Sequence, residues 1–151
     1  MKILLINNFF PPNSRGGTER VVETIVEKLV REGNQVVVVS LRPPQTPPSQ
    51  GGDDENAEGY QVLRIGHVNI YHPLNDYKHN VVTRLVWWFI MICNVSVARS
   101  VIKIIQKEKP DLVWTHNLYG LSFLIPRMIK RLGVKHRHTV HDIQLIYPSG
   151  V

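Results

Sequence analysis

The first forty residues decide the fold, and they read MKILLINNFFPPNSRGGTERVVETIVEKLVREGNQVVVVS (residues 1–40). Residues 2–6 form a short apolar run, which is typical of a strand buried on both faces of a sheet. From Thr18 onward apolar residues recur at helical spacing, with glutamates on the opposite side. Gly33 should end this helix, and residues 36–39 form a second apolar strand. The pattern predicts a βαβ unit with a right-handed crossover.

The alternation of strands and helices continues along the chain. Residues 43–59 are rich in proline, glycine and acids, and we expect a flexible loop there. Pro126 should kink the last helix or mark a later start. The predicted fold class is α/β, a Rossmann-like doubly wound parallel sheet with helices on both faces. Further strands are expected at residues 61–67, 112–115 and 134–140, and helices at residues 80–108, bent or in two pieces, and 118–132.

The length of 151 residues fits one domain with a single hydrophobic core. It is too short for two full α/β domains. We therefore expect residues 1–151 to form one domain. Because the sequence stops at Val151, shortly after a predicted strand, we expect this domain to be incomplete at its carboxyl end.

Cysteine usage and hydropathy restrict the cellular location. Cys93 is the only cysteine, so a disulfide framework is excluded and a cytoplasmic location is indicated. Because Cys93 lies in an apolar run, we expect its side chain to be buried. The longest uninterrupted apolar run is residues 85–93, shorter than the roughly 18 residues of a transmembrane helix. We expect a protein that does not span the bilayer.

The net charge of +6 is unevenly distributed. Residues 78–137 contain eleven lysines and arginines but only Glu108 and Asp111 as acids. This asymmetry indicates an anionic partner, such as a phosphate ester or an anionic lipid surface, or ordinary solvated helix faces. A nucleic acid is disfavoured as the partner, because the basic stretch lacks exposed aromatic-basic repeats.

Polar residues follow three of the predicted strands where each strand ends. These segments are residues 7–18, residues 116–120 and the pair His141-Asp142. Ligands of open parallel sheets bind beyond the carboxyl ends of the strands. The convergence of these segments therefore predicts one binding site.

Gly16 and Gly17 directly precede the first helix. Glycines allow close backbone approach, and a helix N-terminus offers free N–H groups and positive dipole potential. The pair could seat a phosphate or a sugar hydroxyl, or form a turn without a ligand. The sequence has neither the GxGxxG dinucleotide fingerprint nor the phosphate-binding GxxxxGK[ST] pattern.

Histidines follow two neighbouring predicted strands. His116 and His141 each lie at a carboxyl end, where an imidazole can hydrogen-bond a substrate hydroxyl or carbonyl, or serve a structural role. With His136 and His138 nearby, a zinc site is the alternative interpretation. It is disfavoured, because the spacing places the rings on different sides and no thiolate accompanies them. We expect no metal.

Three motifs in this order resemble the amino-terminal domain of retaining glycosyltransferases of family 4, which have the two-domain GT-B architecture. The first is PPNSRGGTE at residues 11–19, which resembles the family's Pro-x-x-Gly-Gly-x-Glu. The second is PDLVWTH at residues 110–116, and the third is TVHD at residues 139–142. Asn34-Gln35-Val36 replaces the usual Gly-His-x-Val continuation, and residues 43–79 show no match.

The resemblance implies roles for these residues. Gly16, Gly17 and Asp142 would bind the diphosphate or sugar of a nucleotide-sugar donor, and His141 would contact the transferred sugar. The acceptor, a saccharide or a lipid-linked saccharide, would lie against His116, Asn117 and Tyr119. The family requires no metal, and no cofactor besides the donor substrate is expected.

The resemblance also implies that the donor-binding carboxyl-terminal domain, with its Glu-x7-Glu segment, is missing from these residues. The chain alone should then be inactive. A different class of function stays open, in which the chain is a non-catalytic half that binds a partner chain carrying the donor-binding domain.

The apolar helix at residues 80–108 has two interpretations. Trp87, Trp88 and Phe89, with nearby arginines and lysines, could make a peripheral contact with the inner face of the membrane. The alternative, which the uniformly apolar composition favours, is a helix buried against the sheet with Trp87 or Trp88 at its rim.

Overall fold

The computed structural model describes residues 1–11, 16–42, 55–57, 59–66 and 69–141. Within them a six-stranded sheet has the order β3-β4-β2-β1-β5-β6, and every neighbouring pair is parallel except β3 with β4. The strands are β1 (Lys2–Ile6), β2 (Gln35–Leu41), β3 (Glu55–Ala57), β4 (Tyr60–Ile65), β5 (Leu112–Thr115) and β6 (His136–His138). The helices are α1 (Gly17–Arg31), α2 (Val81–Ile92), α3 (Val95–Glu108) and α4 (Ile125–Arg131), with a short 3₁₀ helix at Pro73–Lys78.

The central strands are buried on both faces, as their continuous apolar runs predict. In β1, Ile3 and Leu5 pack with Val22 and Val26 of α1 on one side of the sheet. Leu4 and Ile6 face the opposite core, which includes residues of α3 and α4. This alternation places helices on both faces, and the doubly wound α/β fold is confirmed.

Several boundaries follow local signals. Gly33 has φ +79° directly after α1, as a helix stop requires. The predicted helix at residues 80–108 is two helices, because Asn94 ends one and caps the next by accepting a hydrogen bond from Val97 N at 3.1 Å. Pro126 lies in the first turn of α4, so it marks the later start rather than a kink.

Three predictions were wrong. Residues 55–57 form β3, inside the segment expected to be entirely loop; residues 43–54 and 58 lie outside the described residues. β6 covers only His136–His138 of the expected strand at 134–140. Cys93 is exposed rather than buried, because it lies at the end of α2 on the side that faces away from the protein.

Candidate active site at the carboxyl edge of the sheet

The loops after β1 and β5 are joined at the carboxyl edge of the sheet. Asn8 N donates to Asn117 O at 2.9 Å, and Asn117 N donates to the buried Asn7 Oδ1 at 3.1 Å. Asn7 Nδ2 in turn donates to Phe9 O at 2.7 Å. A buried amide that satisfies two loops at once fixes their relative position. The predicted convergence of these segments is therefore present.

A buried arginine holds the loop that leads to the two glycines. Arg64 of β4 donates to Phe10 O at 3.0 Å, to Ser40 Oγ at 2.8 Å and to Pro11 O. Charge-assisted hydrogen bonds to carbonyl oxygens are among the stronger ones in proteins, and the planar guanidinium can make several at once. The exit of β1 is thereby tied to a strand two positions away in the sheet.

Gly16 and Gly17 are exposed at the start of α1. Gly16 N donates to the carboxylate Oε2 of the buried Glu19 at 2.9 Å. Glu19 therefore neutralises part of the positive end of this helix and occupies one of its N–H groups. Among the described residues, no atom lies within 4 Å of a Cβ built at Gly17, so a ligand could approach the backbone there.

His116 and His141 are brought into direct contact, although 25 positions separate them. His116 Nδ1 lies 2.9 Å from His141 Nε2, so one ring donates to the other. His116 is 1% exposed and packs against the Trp114 ring at 5.2 Å, whereas His141 is half-buried. His116 thus lies behind His141, and in this arrangement it has almost no surface for an acceptor to touch.

The surroundings of His116 keep its ring neutral. Burial, followed by repulsion from His141, His138 and Arg137, lowers the pKa of His116 to about 3. Its Nε2 is buried and has no hydrogen-bond partner among the residues that the structure describes. A bare nitrogen lone pair is less costly to bury than an orphaned N–H. This assigns the proton of the neutral His116 ring to Nδ1, which then donates to His141 Nε2.

The two remaining histidines of this region have a different partner. His136 Nε2 and His138 Nδ1 each lie 2.8 Å from Oγ1 of the buried Thr115, so they attach β6 to β5. Trp114 Nε1 adds a hydrogen bond of 2.8 Å to Thr139 Oγ1. Within the described part of the chain, no three histidine, cysteine, aspartate or glutamate side chains form a metal-binding group.

Hydrogen bonds and ring packing hold the loop after β5 around Asn117 and Tyr119. Asn117 Oδ1 accepts from Tyr119 N at 2.9 Å, and Gly120 N lies 3.1 Å from the sulfur of Met91 in α2. The Tyr119 ring packs on Trp87 with a centroid distance of 5.0 Å and is largely buried. Asn117 is half-buried and closest to the loop after β1.

Six of the seven predicted site residues lie at one edge of the sheet or at the start of the helix that follows β1. His116, Asn117, Tyr119 and His141 belong to the loops after β5 and β6. Gly16 lies at the end of the loop after β1 that Arg64 fixes, directly before Gly17. Asp142 lies outside the described residues, so its role stays a prediction.

Sequence reasoning missed three residues that organise this edge: Asn7, Glu19 and Arg64. A signal existed for Glu19, which stands three residues after Gly16 as the acidic member of a capping box does. A signal also existed for Arg64, as a single basic residue within an apolar strand. Nothing in the local pattern distinguishes Asn7 from an ordinary strand end.

The helix next to the site has an unexpected outer surface. Trp87 and Met91 of α2 are fully buried, and Trp88 is half-buried against Tyr119 and Phe123. Phe89 is 74% exposed, and most other side chains on the same side of α2 are exposed as well. The favoured prediction, a helix buried against the sheet, is wrong for this side of α2. Of the two tryptophans expected at its rim, Trp87 is fully buried and Trp88 is half-buried.

The stretch Val81–Glu108 is long and apolar enough, by length and composition, to cross a membrane. In the structure it is divided between α2 and α3, and α3 places Val97, Val101 and Ile105 in the core under the sheet. Core helices of soluble proteins pass the same test of composition.

The sheet and the helices on both of its faces define a Rossmann-like α/β domain, and the histidine pair lies at the edge where sheets of this kind bind ligands. Residues 15–150 match the model of Glycosyltransferase Family 4. This chain belongs to that family, and it has the fold of the amino-terminal domain of GT-B enzymes. The resemblance found in the motifs is confirmed.

Two comparisons describe the relatives. An uncharacterized 42.6 kDa protein in the cps region of Klebsiella pneumoniae is 32% identical over 149 residues, which are 99% of this chain and 39% of that protein. A sucrose-phosphate synthase from Thermosynechococcus elongatus superposes with a TM-score of 0.63 at 17% identity, over 98% of this chain and 35% of its own. The chain therefore spans little more than a third of either protein.

Proposed function

We propose that this chain is the acceptor-side domain of a retaining glycosyltransferase. The enzyme transfers a sugar from a nucleotide-sugar donor to a saccharide or lipid-linked acceptor. A second domain, outside these residues, binds most of the donor, and the 151-residue chain alone is inactive. Two findings support this division. The chain belongs to the family, and it covers little more than a third of the length of the two relatives described above.

The single observation that carries the proposal is the His116–His141 pair at the carboxyl edge of the sheet. In this proposal His141 Nε2 accepts from His116, and the Nδ1–H of His141 donates to an oxygen of the transferred sugar. Such a hydrogen bond strengthens as charge develops at the anomeric carbon, and so it favours the transition state over the ground state. His116 is a positioning residue, because it touches His141 rather than the ligand.

The reaction needs no group from this chain to become covalently attached to the sugar. The bond between the anomeric carbon and the leaving diphosphate oxygen breaks, and a new bond to the acceptor oxygen forms on the same face. The proton of the acceptor hydroxyl passes to the departing diphosphate. This sequence of events conserves the anomeric configuration and uses no resident cofactor.

The diphosphate charge would be met at the start of α1 without a metal ion. Gly16 N is already bonded to Glu19, so Gly17 and the rest of the first turn offer the remaining N–H groups. The open space at Gly17 allows this approach. Asp142, next to His141 in sequence, is proposed to bind the donor sugar.

A cytoplasmic location at the inner face of the membrane fits these assignments. The chain has one cysteine and it is a free thiol, as in reducing compartments. A relative in a cps region fits a saccharide or lipid-linked acceptor. The net positive charge suits an anionic partner, and the lack of exposed aromatic-basic repeats in the basic stretch disfavours a nucleic acid.

The test is a transfer assay on the whole gene product with a panel of nucleotide sugars and chelator present. We expect one donor to be consumed, and NMR of the product to show the donor's anomeric configuration. An inverted product would refute retention, and loss of activity in chelator that added metal restores would refute metal independence. A whole product that never consumes a donor, but forms a stable complex with a second chain, would favour the non-catalytic half.

A further inference from the structure

One side of α2 is apolar and exposed along its whole length. On a helical projection these residues occupy one continuous half of the helix, and no charged side chain interrupts them. Their exposed fractions run from 37% to 74%. This outer face of α2 consists of Val81, Val82, Leu85, Val86, Phe89, Ile90 and Ile92.

The inner side of α2 already satisfies the packing of the domain. Trp87 Nε1 donates to Tyr71 O at 2.8 Å, and the Trp87 and Met91 side chains are fully buried. Arg84 lies on this side, away from the outer face, and pairs with Asp76 at 3.1 Å. Because the inner side of α2 is well packed, loose packing of this helix does not explain why its outer face is exposed. A contiguous apolar patch of this kind marks an interaction surface.

The exposed residues of the next helix carry positive charge. On α3 they include Arg99, Lys103 and Lys107, with no acidic residue among the exposed positions of that helix. Lys78, just before α2, is also exposed. An apolar helix face whose neighbouring segments in the sequence carry exposed lysines and arginines fits an anionic lipid surface. There the apolar side chains would contact the acyl chains, and the basic side chains would contact the headgroups.

We propose that the outer face of α2 inserts into the interfacial region of an anionic membrane, with the basic residues of α3 on the headgroups. The contact is peripheral. α2 has 12 residues and a length of about 18 Å, which is shorter than the hydrocarbon core of about 30 Å. α3 cannot extend it, because its apolar side is committed to the core.

The outer face of α2 lies on the opposite side of that helix from the loop after β5, which carries the proposed acceptor residues. Trp87 and Met91 contact Tyr119 and Gly120 from the inner side of the same helix. One helix thickness, about 10 Å, thus separates the lipid surface from the loop. Resting on the proposed function, the inference selects a lipid-linked acceptor, whose sugar reaches the site while its lipid stays in the bilayer.

The test is flotation of the whole gene product with vesicles of phosphatidylcholine alone or mixed with phosphatidylglycerol. We expect binding to the mixed vesicles that weakens as salt rises. Phe89→Gln and Leu85→Gln should each reduce binding about tenfold, as expected from losing one buried apolar side chain. The matched control is Val21→Gln, an exposed apolar residue of α1, which should leave binding unchanged.

The charge contribution is tested in the same assay. Lys103→Gln with Lys107→Gln should lower binding to the mixed vesicles, whereas Lys130→Gln with Arg131→Gln, exposed on α4, should not. Absence of vesicle binding, or equal effects of test and control variants, would overturn the proposal. So would a dimer or a partner complex that Phe89→Gln dissociates without any vesicle binding.

The proposed function and this inference can be refuted independently of each other. Phe89→Gln should retain transfer to a water-soluble saccharide or detergent-solubilised acceptor while losing transfer to an acceptor in vesicles. Vesicle binding without any transfer would refute the enzyme assignment and leave the membrane surface intact. Equal transfer by wild type and Phe89→Gln to acceptor in vesicles would refute the role of the surface.

Discussion

His116 Nδ1 lies 2.9 Å from His141 Nε2, and only the second of these rings reaches the surface. The low pKa of His116 keeps the buried ring neutral, and the hydrogen bond between the two nitrogens orients the exposed ring. Two residues that belong to different motifs therefore act as one unit. This relationship makes separate predictions for each member of the pair.

Replacing His141 should remove a transition-state contact. In the whole enzyme, His141→Ala is expected to lower kcat by roughly 10²- to 10³-fold, the usual effect of losing one donor to a developing charge. The thermal midpoint should change little, because His141 is only half-buried. The control is Val140→Ala at the neighbouring exposed position. Full turnover by His141→Ala would disprove the assignment.

Replacing His116 should act through His141. His116→Leu removes the donor and is expected to lower kcat roughly tenfold with a smaller change in KM. His116→Asn keeps an N–H near the position of Nδ1 and should restore most of this loss. Steady-state kinetics of both variants decides between positioning and packing, because a packing role would reduce activity equally in the two.

Acid should destabilise the fold through His116. In the unfolded chain this ring binds a proton near pH 6.5, whereas in the folded chain its pKa is about 3. The unfolded state therefore holds more protons between these values, and stability falls as pH decreases from 6.5 towards 3, by up to about 1.4 kcal/mol per pH unit.

Urea unfolding between pH 6.5 and 4.5 measures this slope. Carboxylates titrate mainly below this pH range, so they contribute less to the slope. The His116→Asn variant has no titrating group at this position and should show a flatter dependence. The same slope in wild type and variant would show that His116 does not titrate differently on folding.

The central fold could be predicted because its signals are local. β1 and β2 are continuous apolar runs, and α1 has a clean apolar stripe with a glycine stop. Such patterns report which residues are buried whatever the neighbours are. The meeting of the loops after β1 and β5 followed from the parallel sheet alone.

The environment of α2 could not be predicted, for a physical reason. A helix that is apolar on all sides does not specify which side faces the core. Packing with Tyr71 and Tyr119 decides this, and both partners are distant in sequence. Cys93 was misassigned for the same reason. β3 was missed because an edge strand pairs through its backbone and needs no apolar pattern.

The sequence predicted where the site lies on the sheet, but not how deeply each histidine is buried. The sequence indicated that His116 and His141 end neighbouring strands, but it could not show that one ring lies behind the other. That difference depends on Trp114, which covers His116 from the strand itself. Whether a polar side chain is buried depends on the tertiary fold, and the hydrophobic periodicity of the sequence does not encode it.

Gly120 should tolerate no side chain. Its φ is +82°, and a Cβ built there lies 2.3 Å from Pro73 Cγ and 3.1 Å from Leu41 Cδ1. Gly120→Ala combines backbone strain with overpacking, and we expect a loss of about 2–4 kcal/mol in the free energy of unfolding. Denaturant unfolding monitored by circular dichroism gives this value.

Gly133→Ala is the matched control, because Gly133 also has positive φ, +69°, but has open space among the described residues around a Cβ. It should cost only about 1 kcal/mol. Equal losses for the two variants would mean that the contact with Pro73 is not present in solution.

Arg64 should stabilise the loop after β1 rather than take part in chemistry. Arg64→Met keeps the volume but removes the donors to Phe10 O, Pro11 O and Ser40 Oγ. Leaving these buried acceptors unsatisfied is expected to cost about 3 kcal/mol of stability. Limited proteolysis should detect faster cleavage near residues 10–17, because the carbonyls of that loop lose their anchor. Arg99→Met, at an exposed position, should change stability by less than about 0.5 kcal/mol. If Arg64→Met is as stable and as resistant to cleavage as the wild type, the hydrogen bonds do not hold the loop.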